Sequence, residues 1–296
     1  MKLKNIKLLL TLCLPLSLGA CNEDDLYTKS IFDGQEPVYN EFDHWLKANY
    51  TDTYNLDFKY RFEDKESDNK YNLAPADFTK SKAMAKMTKH LWMESYDELV
   101  GPTFMKTYCP RIIQLIGSPA YNSQGSIVLG TAEGGLKVTL YNVNDIDLQH
   151  IDVKVLNQWY FHTMHHEFAH ILHQTKEYST DYNLITKSNY QSTNWVNVKE
   201  KEALDMGFIT PYGSSEVRED FVEMYSTYVT ISKEEWDATI AKASEEGQGY
   251  LMQKLDIVKD YMKTTWNIDM DELREVILRR SSEVQNWDVE DLTTLN

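Results

Sequence analysis

The sequence predicts an α+β fold in one domain, with a small N-terminal mixed sheet followed by a mostly helical C-terminal half. Strand-like patterns end near residue 143, whereas helical periodicity dominates from about residue 152 onward. No repeat and no proline-rich linker divides the chain, and strands followed by helices are typical of this class. With 42% hydrophobic and 12% aromatic residues, the 296-residue chain can bury a sizeable core.

The first half is expected to contain the sheet and one long helix. Apolar and polar residues alternate over 54–62, which predicts a half-buried strand. Ala83, Met87 and Leu91 recur at helical intervals and predict a helix at about 79–100. Further strand-like runs, separated by turns that contain glycine and proline, lie at 111–117, 126–130 and 135–143.

The second half is expected to be almost entirely helical. Helices are predicted at 152–177, 215–231, 233–246, 248–265 and 270–284. Ser232-x-x-Glu235 and Asp269-x-x-Glu272 match the starts of two of them. The positions Leu251, Leu255, Val258, Met262 and Trp266 share one helix face and are expected in the core. The polar segment 178–211 is a candidate lid or cleft wall.

The N-terminus has the pattern of an export signal, in which lysines precede an apolar run at 8–18 that is too short to span a bilayer. The run ends in Leu18-Gly19-Ala20-Cys21, which resembles the lipobox of bacterial lipoproteins, whose cysteine is acylated. The resemblance implies a signal peptide at 1–20 and lipidation of Cys21. It also implies export and a lipid anchor in the outer membrane. The polar stretch that follows Cys21, with Gly34 and Pro37, predicts a flexible tether at 21–38 and a domain at 39–296. Acidic residues after Cys21 resemble a signal for cell-surface exposure, with a solvated spacer as the alternative.

The charge and the cysteines narrow the possible partners. Removing residues 1–20 takes away three lysines and no acids, so the net charge goes from −16 to −19. Such an acidic chain repels phosphate backbones, which argues against nucleic acid as a partner and leaves the lipid anchor as the membrane contact. After loss of Cys13 and acylation of Cys21, Cys109 has no partner for a disulfide and is expected to be a small buried residue.

The chemistry is concentrated in the run His165-His166-Glu167-Phe168-Ala169-His170 inside a predicted helix. His166 and His170 are four residues apart, so both imidazoles project from one helix face and can bind one ion. Glu167 lies beside the first histidine, where its carboxylate can act on water. This is an H-E-x-x-H pattern, and a catalytic zinc site needs a third protein ligand while it leaves one position for water.

A second motif supplies candidate carboxylates. Glu219 and Glu223 are one helical turn apart, so one can bind zinc while the other accepts a hydrogen bond from a ligand histidine. The alternative is an exposed acidic face, with Phe221, Tyr225 and Tyr228 turned inward.

Together the two motifs resemble the gluzincin metallopeptidases, which have a zincin-like fold, and especially the lethal-factor-like group. In that group H-E-x-x-H is followed by E-x-F-x-E, with Y-G seven residues before the first glutamate, as Tyr212-Gly213 is here. The resemblance implies peptide hydrolysis by zinc-activated water. It also implies residue roles: Zn²⁺ ligands His166, His170 and Glu219, general base Glu167, oxyanion donor Tyr212, and Glu223 as a hydrogen-bond partner of a ligand histidine.

A wider resemblance is to the substrate import-associated zinc metallohydrolase lipoproteins of Bacteroidetes. It rests on the lipobox, the segment at 130–135 and the H-E-F-A-H helix. It implies a peptide or protein substrate and an association with an outer-membrane nutrient importer.

Several alternatives stay open at this stage. His162, His165 and His173 flank the motif and are expected to be solvated or to support a ligand, but one of them could replace Glu219 as the third ligand. Tyr225 or Tyr228 could supply the phenol in place of Tyr212. The leading function is a zinc peptidase. The competing functions are a lipoprotein that captures ligand for an importer without catalysis, and a fold in which zinc is only a structural brace.

Overall fold

The computed structural model describes residues 38–121, 127–128, 130–133, 136–284, 287–288 and 291–292. The predicted signal peptide, Cys21 and the tether as far as residue 37 lie outside this part of the chain, as do Gly134 and Gly135. The chain from Asn40 onward forms one compact unit. Within it, helices predominate over a small sheet, which confirms the predicted α+β class.

The sheet has four short strands in the order β1-β2-β6-β5. The strands of the domain are β1 (Asp57–Lys59), β2 (Ile112–Leu115), β3 (Ala120–Tyr121), β4 (Ile127–Val128), β5 (Gly130–Glu133) and β6 (Lys137–Leu140). Strands β1, β2 and β6 are parallel, with Ile113 opposite both Phe58 and Val138, whereas β5 runs antiparallel along β6. Strands β3 and β4 form a separate antiparallel pair. The sheet is therefore mixed, as predicted, and β5 is one of its edges.

The first helices precede and follow β1. They are α1 (Glu41–Leu46), which continues through a π-helical turn (Lys47–Thr51) into α2 (Asp52–Tyr54), then α3 (Phe78–Met87), a second π-helical stretch (Thr88–Met93), α4 (Glu94–Val100) and α5 (Pro102–Tyr108). The predicted helix at 79–100 is confirmed. The predicted strand at 54–62 is wrong outside 57–59, because Tyr54 ends α2 and Asn55 adopts a left-handed conformation (φ 55°) that breaks the chain direction.

Helix α1 was not predicted, although the sequence contains its signal. Phe42, Leu46, Tyr50 and Tyr54 follow one another at intervals of four and are all buried. Helix α5 was not predicted either. It begins with Pro102 after Gly101, whose φ of 91° is a conformation that glycine adopts without strain.

The second half matches the predicted helices closely. Its helices are α6 (Val153–Leu156), which runs through a π-helical turn (Asn157–Phe161) into α7 (His162–Thr175), then α8 (Tyr182–Ile185), α9 (Glu200–Asp205), α10 (Val217–Thr230), α11 (Lys233–Ile240), α12 (Glu245–Trp266) and α13 (Met270–Val284). The capping box between Ser232 and Glu235 is present. Helix α11 ends earlier than predicted, because Ser244 accepts a hydrogen bond from the backbone of Gly247 and starts α12 there.

The core confirms two further predictions. All five predicted positions on the inner face of α12 are buried, at Leu251, Leu255, Val258, Met262 and Trp266. Cys109 is buried with a free thiol whose pKa is raised by burial to about 11, which fits a packing residue better than a nucleophile. No helix in the described ranges is both long and apolar enough to span a membrane.

A buried ion pair joins α10 to α12. Lys254 Nζ lies 2.6 Å from Asp220 Oδ2, and both side chains are fully buried. Lys254 also donates to the carbonyl of Gly207, and Tyr190 donates its hydroxyl to Asp220. Burial raises the pKa of Asp220 and lowers the pKa of Lys254, so each group depends on the other to stay charged. The pair is adjacent to Glu219 and holds the first turn of α10.

Replacing Lys254 should therefore destabilise the domain. Lys254→Met leaves the Asp220 carboxylate buried without its cation, and we expect the free energy of unfolding to fall by about 3–5 kcal/mol. Lys233→Met, the same change at an exposed ion pair with Asp237, should leave stability nearly unchanged. Urea unfolding followed by circular dichroism measures both. Equal stability of the two variants would contradict the structural role given to this pair.

Candidate metal centre

Helix α7 supplies two imidazoles to one point. It continues the helical run that starts at Val153, where Asp152 caps the first turn by accepting a hydrogen bond from Lys154 N. His166 and His170 are one turn apart on α7, with ring centroids 4.9 Å from each other. His166 is buried and His170 is partly exposed, so the pair lies at the border between the core and solvent.

Helix α10 packs against α7 and brings the third donor. Glu219 Oε2 lies 3.1 Å from His166 Nε2 and 3.4 Å from His170 Nε2. The ligand atoms of the three residues all lie within 4.8 Å of one another. The three residues predicted as ligands, His166, His170 and Glu219, therefore converge at one site. The alternative prediction, that Glu219 belongs to an exposed acidic face, is wrong.

The donor set fits a zinc ion. Glu219 Oε2 is buried and has no hydrogen-bond partner among the described residues, although two ring nitrogens lie near it. Such an arrangement brings three atoms that can bind a metal to a common point. Two histidine nitrogens and one carboxylate oxygen are also the ligands of a common class of catalytic zinc site.

The electrostatics of these groups agree with a site for a cation. Burial alone would lower the pKa of His166, but Glu219 and Glu223 raise it to about 10. Burial would raise the pKa of Glu219, but His166 and His170 lower it to about 2. The carboxylates therefore hold a positive charge at this point, and a metal ion can take the place of the imidazole proton.

Glu223 contacts the second ring nitrogen of His166, Nδ1. Its Oε1 lies 2.7 Å from His166 Nδ1 and 3.1 Å from His162 Nε2, and its Oε2 accepts a hydrogen bond of 2.7 Å from Thr210 Oγ1. Although burial opposes its ionisation, His162 and His166 keep the pKa of Glu223 well below its usual value. A carboxylate on Nδ1 leaves Nε2 free to bind a metal.

Glu167 lies between the two ligand histidines in sequence and is partly exposed. Burial raises the pKa of Glu167, and the nearby carboxylates of Glu219 and Glu223 raise it further. His166 and His170 lower it, but the pKa remains above its usual value. Its carboxylate makes no hydrogen bond or ion pair with another described residue. A carboxylate with a raised pKa beside a metal site is suited to accept and return a proton.

Tyr212 lies over the site at the start of a 3₁₀ turn (Tyr212–Ser214). Its ring stacks on the imidazole of His166 with 6.0 Å between centroids, and Trp195 packs edge-on against it at 5.0 Å. Burial and the nearby carboxylate of Glu219 raise the pKa of the phenol above its usual value. The hydroxyl therefore stays protonated at neutral pH and can donate a hydrogen bond.

The flanking histidines have other partners. His165 is fully buried, its Nδ1 lies 2.8 Å from Tyr96 Oη, and burial lowers its pKa to about 3. His173 lies 2.9 Å from Nδ1 of His170, and burial lowers its pKa to about 4. His162, His166 and Glu223 form a second group with the spacing of metal ligands, but Glu223 and His166 are already at hydrogen-bond distance there.

The alternative phenols are directed elsewhere. Tyr225 Oη lies 2.7 Å from Tyr96 Oη, and Tyr228 donates its hydroxyl to Asp271. Among the three tyrosines considered from sequence, Tyr212 is the one in contact with a ligand histidine. Thr210 and Trp195 also belong to the site and were missed, because no local spacing relates either of them to the H-E-x-x-H helix.

Residues 35–271 match the family described as "Putative zinc-binding metallo-peptidase". No curated protein matches the chain. The crystal structure of a putative zinc-binding metallo-peptidase from Bacteroides caccae ATCC 43185 is similar, with 46% identity, coverage of 89% of this chain and 100% of that chain, and a TM-score of 0.76. The chain belongs to this family of zinc-binding metallopeptidases.

Proposed function

We propose that the protein hydrolyses peptide bonds with Zn²⁺ held by His166, His170 and Glu219, as a gluzincin-type enzyme similar to the lethal-factor-like group. The observation that carries the proposal is the convergence of the three ligand atoms within 4.8 Å on two packed helices. Glu167 on the same helix and the phenol of Tyr212 against His166 support a catalytic site over a closed structural one.

A bound zinc ion would act as a Lewis acid, which lowers the pKa of water and polarises a carbonyl group. Glu167 is the group that takes the proton from water and returns it to the nitrogen of the departing amine. Its raised pKa brings it closer to the neutral pH at which it must do both. Its freedom from hydrogen bonds to other described residues leaves its carboxylate available for this transfer.

Tyr212 donates its hydroxyl proton in a hydrogen bond to the oxygen that becomes negative when the carbonyl is attacked. The stacking on His166 and the edge contact from Trp195 hold the ring beside the ligands. A donor already in position stabilises developing charge without reorganisation during the reaction.

The sheet supports a peptide as the substrate. Strand β5 is an edge of the four-stranded sheet and lies next to α7, which carries the histidines. An extended peptide can add to such an edge through main-chain hydrogen bonds. Residues 178–211 contribute Trp195, which packs against Tyr212, and this contact supports a role for the segment as a lid or cleft wall.

We also propose that the protein is exported and anchored in the outer membrane by a lipid. The lipobox-like sequence before Cys21 supports a lipid anchor in the outer membrane, with exposure on the cell surface. A peptidase there would act on peptides or proteins that enter a nutrient importer. The net charge of −16 argues against nucleic acid as a further partner.

The variant Glu167→Gln tests the general base. It keeps the shape of the side chain but cannot accept the proton, so we expect cleavage of a mixed peptide library to fall by about 10²–10⁴-fold while one zinc per chain is retained. Glu177→Gln, the same change at an exposed position just after α7, should leave the rate unchanged. Peptide fragments are measured by mass spectrometry with and without chelator, and zinc is measured by elemental analysis.

Full activity of Glu167→Gln would exclude the assigned base. Wild-type protein that binds zinc but cleaves no peptide would contradict the peptidase and favour ligand capture or a structural metal.

Tyr212→Phe removes one hydroxyl from the site. We expect kcat to fall by about 10²-fold with little change in KM, since the hydrogen bond is needed mainly in the transition state. Tyr121→Phe, at an exposed position in β3, is the matched control. Both variants are measured by steady-state kinetics on the library peptide that is cleaved fastest. A rise in KM with unchanged kcat would assign Tyr212 to substrate binding instead.

Cys21→Ser tests the anchor. Loss of the acylated thiol should abolish labelling with a fatty-acid analogue and move the protein out of the membrane fraction. Cys13→Ser, inside the predicted signal peptide, should leave both unchanged. Labelling of Cys21→Ser at the wild-type level would show that the lipid attachment is elsewhere.

A further inference from the structure

His170 has a different kind of partner from His166. The Nδ1 atom of His166 faces the carboxylate of Glu223 at 2.7 Å, whereas the Nδ1 atom of His170 faces Nε2 of His173 at 2.9 Å. His173 lies on the same helix, three residues later, so it reaches His170 from within α7. The two candidate ligands are thus supported by separate elements.

The ring of His173 is held in a fixed orientation. Its side chain is buried, and its imidazole packs edge-on against Tyr178 at 5.7 Å and against Phe221 at 6.2 Å. Tyr178 and Phe221 stack on each other with 3.9 Å between centroids and an angle of 3°. This aromatic pair therefore restricts the rotation of the His173 ring.

The position of one proton then matters for metal binding. A neutral imidazole carries its proton on one nitrogen, and only the other nitrogen has a lone pair for a metal. If His170 binds through Nε2, the atom that lies near Glu219, its proton must be on Nδ1. A partly buried N–H is more stable with an acceptor, and His173 Nε2 lies at hydrogen-bond distance from it.

We propose that His173 is a positioning residue, which accepts a hydrogen bond from His170 Nδ1 and so directs the Nε2 lone pair of His170 at the metal. The inference rests on the zinc centre proposed above. It assigns His173 its neutral form with the proton on Nδ1 and the lone pair on Nε2. The two candidate ligand histidines then have hydrogen-bond acceptors of different chemistry, since His166 donates to a carboxylate and His170 to an imidazole.

The test compares two substitutions in the full-length protein. His173→Phe keeps an aromatic ring against Tyr178 and Phe221 but removes the acceptor, and we expect the zinc dissociation constant to rise by about 10- to 100-fold. Tyr178→Phe keeps the ring that packs on His173 and removes only a hydroxyl, and it should bind zinc within twofold of wild type. Zinc affinity is measured by competition with a chelating dye, and folding of each metal-free variant is checked by circular dichroism.

A spectroscopic measurement reports directly on how the ring of His170 is held at the metal. In the cobalt(II)-loaded protein, His173→Phe should shift the visible absorption bands, because the ring of one ligand is no longer held, whereas Tyr178→Phe should reproduce the wild-type spectrum. Unchanged zinc affinity in a folded His173→Phe variant would overturn the inference. An equal loss in Tyr178→Phe would overturn it as well, since the effect would then not be specific to the nitrogen acceptor at position 173.

The outcome is independent of catalysis. If wild-type protein binds zinc tightly but cleaves no peptide, the proposed peptidase function fails while the affinity comparison still decides the role of His173. If peptides are cleaved and His173→Phe binds zinc like wild type, the function stands and this inference fails.

Discussion

The rotational setting of α10 about its own axis is the constraint on which the site depends. Successive residues of a helix point about 100° apart, so three neighbours face three different surroundings. Glu219 faces the ligand histidines, Asp220 is paired with Lys254, and Phe221 stacks on Tyr178. A rotation that improved one of these contacts would break another, and the buried charges make such a break costly.

The same setting brings Glu223 to His166 one turn later. His166 therefore lies between two carboxylates, with Glu219 near Nε2 and Glu223 near Nδ1. Burying two carboxylates beside each other is unfavourable unless positive charge lies between them. The raised pKa of His166 and the lowered pKa of Glu219 both reflect this balance. A cation at this point satisfies the excess negative charge, and the packing of α7 against α10 places that charge there.

The predictability of the fold differs between its halves. Helix α13 was predicted to the residue and α12 to within three residues at its start, because each buries a continuous apolar stripe. In the first half, β1 has only three residues, and the alternation that predicted a longer strand began within α2. Short elements carry too few residues to distinguish a period of two from one of 3.6, so local pattern decides little there.

The candidate site could also be predicted only in part. The sequence by itself determined that His166 and His170 share a helix face and that Glu219 and Glu223 share another, since both follow from the fixed geometry of a helix. The resemblance in sequence assigned their roles. Only the tertiary structure decided that the two faces meet, that Thr210 and Trp195 join them, and that His173 turns to His170 while His165 turns to Tyr96. Contacts between residues far apart in the chain depend on how helices pack, and helical spacing carries no information about packing.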